Sequence, residues 1–176
     1  MFIYINCLIQ TIYGAEKFAS AVMACPLLNR VAVEINMKTV AYSEPENLTV
    51  KNGNRIQLPL GLLGFEQIKE YELLADSAEE PFMWLQMLNT TSQSFLVVPP
   101  STIVPDYHPE LSQDDVEFLE LREPGDGLLL NIVTLRGRQQ ATINLKGPIV
   151  INRHSLIGKQ VIPLNVANYS LQFPLQ

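Results

Sequence analysis

Cysteine is almost missing from this 176-residue chain: Cys7 and Cys25 are the two present, and none follows Met37. Residues 37–176 therefore hold no disulfide framework and no cysteine-based zinc site. That pattern fits a reducing compartment. Histidine is equally scarce, with His108 and His154 alone. No run of 18 apolar residues occurs, so no helix can be drawn across a bilayer from the sequence. Charged residues make up 17%, against about a quarter in ordinary soluble domains. Bases are scarcer than acids, and residues 127–176 contain no acid at all.

What charge there is lies unevenly. The formal net charge is −6, and Pro105–Asp126 alone carries −7: eight acids (Asp106, Glu110, Asp114, Asp115, Glu117, Glu120, Glu123, Asp126) against Arg122. Residues 127–176 carry five bases, Arg136, Arg138, Lys146, Arg153 and Lys159. A chain that is acidic overall, with its acids gathered in one segment, repels nucleic acid and suits a basic protein partner. An apolar share of 47% is enough for one real core in a domain of this length.

The first 36 residues read differently from the rest: apolar, sparsely charged and without a clean period. "MKTVAY" then looks like an ordinary start, so residues 1–36 are expected to be an extension upstream of the natural start at Met37, outside the fold. A secretory signal fits poorly, because the first charge is Glu16 and no basic region precedes the apolar stretch. From Met37 onward the pattern is one of strands. Leu48–Leu58 reads as a hairpin with a three-residue loop, Asn52–Asn54, which pairs Val50 with Ile56. Strands follow at 69–75, 82–88, 94–98, 127–135, 141–151 and 156–164. Turn signals about every ten residues argue an all-β protein, mostly antiparallel and barrel-like or sandwich-like. The one helix signal, near 112–121, lies in the acidic segment. Ser112 can cap it, Asp114 and Asp115 suit its first turn, and Pro124-Gly125 would end it. Val116 and Leu119 would face the body, and Glu117 and Glu120 the solvent.

Catalytic and metal signals are weak. His154 adjoins Ser155, but adjacent residues in a strand point apart, and a hydrolase needs nucleophile, base and orienting acid together. Asp114, Asp115 and Glu110 or Glu117 lack the D-x-D-x-D-G order of a calcium loop. "GLLGFE" lacks the Lys-Ser/Thr of a phosphate loop. Arg136, Arg138, Lys146, Arg153 and Lys159 form a sparse basic set with few aromatic platforms, which leaves RNA binding, or a generic β-barrel interaction module, as the alternative function.

Several stretches together resemble the flagellar assembly factor family FliW: "LPLGLLGFE" (58–66), "PFMWLQML" (81–88), "SFLVVPP" (94–100), "PDYHPELSQDD" (105–115) and "ATINLKGPIVIN…GKQVI" (141–162). The likeness covers residues 37–176. Leu60 and Met87 depart from it, each more apolar than the residue many relatives carry there. The resemblance implies a cytoplasmic, non-enzymatic protein without cofactors. It implies two partners: flagellin, and CsrA, a small dimeric RNA-binding repressor that holds flagellin messenger RNA untranslated. Direct nucleic-acid and membrane contacts are not expected, and the expected state is a monomer. On this reading Asp106, Glu110, Asp114, Asp115 and Glu117 help dock CsrA, and Leu62, Tyr107 and Phe82 are exposed apolar candidates for flagellin. Asn152, Gly158 and Gln160 match the family's last block, and a strand-edge structural role would explain them equally.

Overall fold

The computed structural model describes residues 54–88, 93–136 and 140–175. Antiparallel strands dominate: β1 (Asn54–Gln57), β2 (Glu70–Ala75), β3 (Met83–Met87), β4 (Ser94–Val98), β5 (Gly127–Arg136), β6 (Gln140–Ile143), β7 (Ile149–Asn152), β8 (Gly158–Gln160) and β9 (Phe173–Leu175). One short helix, α1 (Gln113–Phe118), lies between β4 and β5. The order β1-β2-β3-β4-β5-β6-β9 forms a continuous path, and β7 and β8 branch from β5. The all-β class with one short helix is therefore what the chain adopts. The expected 48–58 hairpin lies largely outside the described residues; Asn54, assigned there to the loop, opens β1 opposite Leu73.

β5 is the strand on which the fold turns. Along one edge it pairs first with β7 (Gly127–Leu130) and then with β6 (Val133–Arg136), while β4 lies along the other. The single strand read over 141–151 is thus two strands joined by a corner. Asn131, fully buried, marks that corner: its amide Nδ2 donates to the Asn144 carbonyl at 2.5 Å. Both faces of this strand are packed. Leu128 and Leu130 point into one core with Ile56, Tyr71, Leu85 and Phe95. Leu129 and Val133 point into a second core with Tyr107, Leu119, Leu145 and Val161. β4 and β7 split in the same way, Val97 and Ile149 to the first core, Leu96 and Val150 to the second. That is why "LLL" (128–130) and "IVI" (149–151) read as unbroken apolar runs rather than alternations.

The first core lies inside the curve of the sheet, and the seam between β1 and β8 is short. There Gln57 and Ile157 form one isolated parallel bridge, and the Gln57 amide donates to the Leu156 carbonyl at 2.9 Å. Among the described residues no continuous ladder runs across it, so they form a barrel-like sheet that is not closed. The strand expected over 156–164 shrinks to β8, because Leu156 has a left-handed φ of 58° and Pro163 removes a donor. β9 was not expected at all; its middle residue is Pro174.

"LPLGLLGFE" forms the tight bend its glycines suggest. Gly61 has φ +73°, and a Cβ there would lie 2.7 Å from the Glu66 Cα and 2.8 Å from the Phe65 carbonyl oxygen. Backbone atoms cannot yield as a side chain can, so Gly61→Ala is expected to cost at least about 1–3 kcal/mol, read as a lower urea midpoint with an unchanged slope. Tyr71 offers the opposite case. It is fully buried, its hydroxyl makes no hydrogen bond of ordinary geometry, and burial pushes its pKa up to about 12, opposed by the nearby Leu62 backbone amide. Tyr71→Phe removes a desolvated group that gains little in return. Its unfolding free energy should match that of the wild type within about 0.5 kcal/mol or exceed it.

Candidate functional site: an acidic cover held over the second core

The acidic segment is the lid of the second core. Its anchors are apolar: Tyr107 and Leu119 are buried, Pro109 is buried between them in sequence, and Val116 and Leu121 are half-buried. The Tyr107 hydroxyl donates to the Leu145 carbonyl at 2.7 Å, and its ring meets Tyr169 edge-on at 4.6 Å. The Glu110 amide donates to the Asn165 side-chain oxygen at 3.1 Å, and the Glu110 carbonyl accepts from the Leu164 amide at 2.8 Å. The cover is thereby tied to the chain beyond β8 at both backbone and side chain.

Ser112 caps α1 as expected. Its Oγ accepts from the Asp115 amide at 3.1 Å and donates to the Asp115 carboxylate at 2.6 Å. The helix ends sooner than expected, and not at Pro124-Gly125. Leu119 is its C-cap and Glu120 turns left-handed with φ 52°. Asn152 at the end of β7 receives this terminus: Nδ2 donates to the Leu119 carbonyl at 2.8 Å and lies 3.3 Å from the Glu120 carbonyl. Its Oδ1 accepts from the His154 and Ser155 amides. Asn152 therefore fixes a helix end and a turn at once. Gly158 is set by packing, since a Cβ there would lie 2.7 Å from Leu58 Cδ2 and 3.1 Å from the Val150 carbonyl oxygen. Gln160 reaches the Leu63 amide with Oε1 (2.9 Å) and the Gly147 carbonyl with Nε2 (3.2 Å). All three are structural in this fold.

Of the residues expected to dock a partner, Asp106, Glu110, Asp114 and Glu117 are exposed. Glu120 and Glu123 are exposed on the same segment. Asp115 corrects the expectation: it points inward, is buried, and binds Lys159 Nζ at 2.6 Å. The helix period explains it, since Asp115 shares a face with Leu119, four residues on. Lys159 also stands 5.1 Å above the Phe118 ring. Leu62 and Tyr107 are corrected as well. Leu62 is 1% exposed in the first core and Tyr107 belongs to the second, so neither is available on the surface. Phe82 is half-buried against the second core. Met87, more apolar than in many relatives, is buried in the first core and adds nothing to the surface. Among the described residues the large exposed apolar side chains are others: Leu60, Leu63, Phe118, Ile162, Leu164, Leu171 and Phe173. Ile162 and Leu164 were legible only as members of a strand, and the chain beyond β8 exposes them because Val161 and Pro163 take the inward positions.

The remaining polar groups are tied into local structure. Asp126 Oδ2 accepts from the Arg122 and Glu123 amides at 2.8 and 2.9 Å, and Oδ1 faces His154 Nε2 at 3.0 Å. Those amides first, then His154, hold the Asp126 carboxyl below its ordinary range. Ser155 Oγ accepts from the Ile157 amide rather than meeting the His154 ring. Among the described residues, no three His, Cys, Asp or Glu side chains gather as a metal site. A groove of about 230 Å³ opens at the β1–β8 seam, lined by Arg55, Gln57, Glu70 and Ser155 among others. That is smaller than the roughly 300–1,000 Å³ of ordinary small-molecule sites. Of the basic set, Lys159 is engaged by Asp115, burial lowers the Arg153 pKa, and Arg138 lies outside the described residues.

Comparison with known proteins decides the family. The FliW protein family matches residues 39–175. This chain belongs to the FliW family. It is 41% identical over 125 residues to the flagellar assembly factor FliW of Clostridioides difficile (strain 630), covering 69% of this chain and 93% of that protein. It is 35% identical over 134 residues to the factor of the same name from Clostridium botulinum (strain Alaska E43 / Type E3), covering 76% and 89%. A crystal structure of the flagellar assembly factor FliW superposes with a TM-score of 0.63 at 34% identity, covering 69% of this chain and 84% of that one. No helix among the described residues is long and apolar enough to cross a membrane.

Burial alone would push the Asp115 carboxyl up, but the Lys159 ammonium and the Ser112 hydroxyl and amide outweigh it and hold it below its ordinary value. A depressed folded-state pKa gives stability that is present above the unfolded value, about 3.9, and is lost as pH falls through the lower folded value. Asp115→Asn is expected to cost about 1–3 kcal/mol at pH 7, because Lys159 loses its partner. The variant should also show a shallower loss of stability than the wild type as pH falls below about 4, measured by urea titrations across that range.

Proposed function

We propose that this protein is a cytoplasmic, non-enzymatic assembly factor that binds flagellin and sequesters the repressor CsrA, so that flagellin synthesis follows filament assembly. Its family membership supplies the flagellar assembly role, and the two named partners are the finer part of the reading. The observation that carries it is the acidic cover. Asp106, Glu110, Asp114 and Glu117 are held exposed on a segment anchored by Tyr107, Leu119 and the Ser112 cap. Carboxylates on an ordered backbone keep their spacing, so a basic partner meets a fixed pattern rather than a loose tail. The inward acid, Asp115, is already neutralised by Lys159 and adds little to that field.

When flagellin is scarce, the free factor holds CsrA and translation of flagellin proceeds. When flagellin accumulates, it occupies the factor and CsrA is released. The protein acts as a monomer in this cycle and does not touch nucleic acid itself.

The test is a titration of the full chain with CsrA, followed by addition of flagellin, for wild type and for Asp106→Asn/Glu110→Gln/Asp114→Asn/Glu117→Gln together. Wild type is expected to bind CsrA saturably and lose it to flagellin. The neutralised variant should bind CsrA about ten-fold or more weakly, with a flatter salt dependence. Equal CsrA affinity for both proteins would remove the acidic cover as the docking face.

A further inference from the structure

The acidic cover ends on Asp126-Gly127, the one Asp-Gly step in the chain. Such a step is chemically labile, because glycine has no Cβ to shield its nitrogen. That nitrogen can attack the carboxyl carbon of the preceding side chain. An N–C bond forms, a carboxyl C–O bond breaks, and the hydroxyl leaves with the amide proton as water. The product is a five-membered succinimide. Water then adds at the former backbone carbonyl carbon of Asp126 and breaks its bond to nitrogen. The chain now runs through the Asp126 side chain as an isoaspartate with a free α-carboxylate. One water is lost and one gained, so the net change is an isomerisation.

The fold works against both requirements of the first step. Attack needs a protonated carboxyl, whose hydroxyl can leave, and a nitrogen brought onto the carboxyl carbon. Asp126 Oδ2 accepts from the Arg122 and Glu123 amides at 2.8 and 2.9 Å, and Oδ1 faces His154 Nε2 at 3.0 Å. Bonds of this kind favour the ionised form. The Glu123 and Arg122 amides first, then His154, hold the carboxyl below its ordinary range. They also turn the side chain back over the single turn Pro124–Asp126, whereas Gly127 lies ahead of it. The peptide plane between Asp126 and Gly127 is pinned separately. The Asp126 carbonyl accepts from the Arg153 amide at 2.8 Å, and buried Gly127 lies opposite Asn152 in the β5–β7 ladder. Of the three groups on the carboxylate, two are backbone amides of its own turn. The third, His154, is a side chain 77% exposed on the far side of the β7–β8 turn, and it is the member that a substitution can remove.

We propose that Asp126-Gly127 is a latent isoaspartate site, which the His154 side chain keeps closed in the folded protein by holding the Asp126 carboxylate. Isomerisation there adds one methylene to the backbone between the acidic cover and β5. It also takes the carboxylate from the Arg122 and Glu123 amides. The cover then loses its fastening at that end, while the Tyr107 anchor and the Ser112 cap stay in place. The inference does not rest on the partners proposed above.

The experiment ages the full chain at neutral pH as wild type, His154→Ala and His154→Gln, beside a synthetic peptide of residues 123–136. Should His154→Ala lose its near-ultraviolet circular dichroism, His154→Ser takes its place. Trypsin releases the same residues 123–136 from the aged protein, free of the Asn52-Gly53 step. The two isomers are separated by chromatography and assigned by electron-transfer fragmentation. The free peptide is expected to isomerise about ten-fold or more faster than folded wild type, since it lacks the fold's restraints. Loss of one hydrogen bond to a charged group should make His154→Ala about three-fold or more faster than wild type. His154→Gln keeps a donor for the carboxylate and should stay closer to wild type than to His154→Ala. Wild type that isomerises as fast as the free peptide overturns the proposal. So does a folded His154→Ala whose rate equals that of wild type, and so does a His154→Gln faster than His154→Ala.

Discussion

Burial of both faces of β5 is the constraint from which the rest of this molecule follows. A strand with β4 on one edge and β6 and β7 on the other has an inner face, which the curved sheet covers, and an outer face, which the sheet cannot. Leu129 and Val133 on that outer face need a second layer. The chain supplies it with residues of the acidic segment and with the stretch beyond β8. Apart from buried Asp115 and half-buried Asp126, the acids are what remains outside once Tyr107, Pro109 and Leu119 have gone in. Concentration of charge in one segment and the presence of a second core are two views of the same arrangement.

A polar thread stitches this cover to the sheet. Asn152 donates to the helix terminus from the end of β7, and Lys159 reaches across to Asp115 from β8. Gln160, the next residue, faces the other way and fixes the bend at Leu63. Two adjacent residues of β8 therefore fix the acidic cover and the bend at Leu63. The family's last block, "GPIVIN…GKQVI", is a run of such joints: a glycine without room for a Cβ, an asparagine with both ends engaged, a lysine and a glutamine facing opposite ways. Its residues read as structure because each has its partner inside the protein.

The class of the fold was legible because strand patterns and turn residues are local. The acidic segment and its Ser112 cap were legible for the same reason. What escaped was set by distance along the chain. Asp115 reads as one more acid of a wet helix until Lys159, forty-four residues on, is brought against it. Leu62 sits between two exposed leucines and nothing local says that it alone turns inward; the Gly61 and Gly64 backbone angles decide it. Tyr107 looks like an interface aromatic beside acids, yet the carbonyl it serves belongs to Leu145. β9 hid behind a proline, and the short reach of β8 behind a left-handed Leu156 that carries no glycine to announce it.

That proline has a further meaning. β9 pairs with β6 through Phe173, Pro174 and Leu175, and among the described residues it borders the sheet on that side. Proline is tolerated in such a ladder where its missing amide hydrogen faces away from the neighbour. The outward rim of the sheet is then short and lacks a donor at its centre, so a stray strand arriving there finds no register to copy. The sheet thus ends on that side with a residue that cannot template another strand.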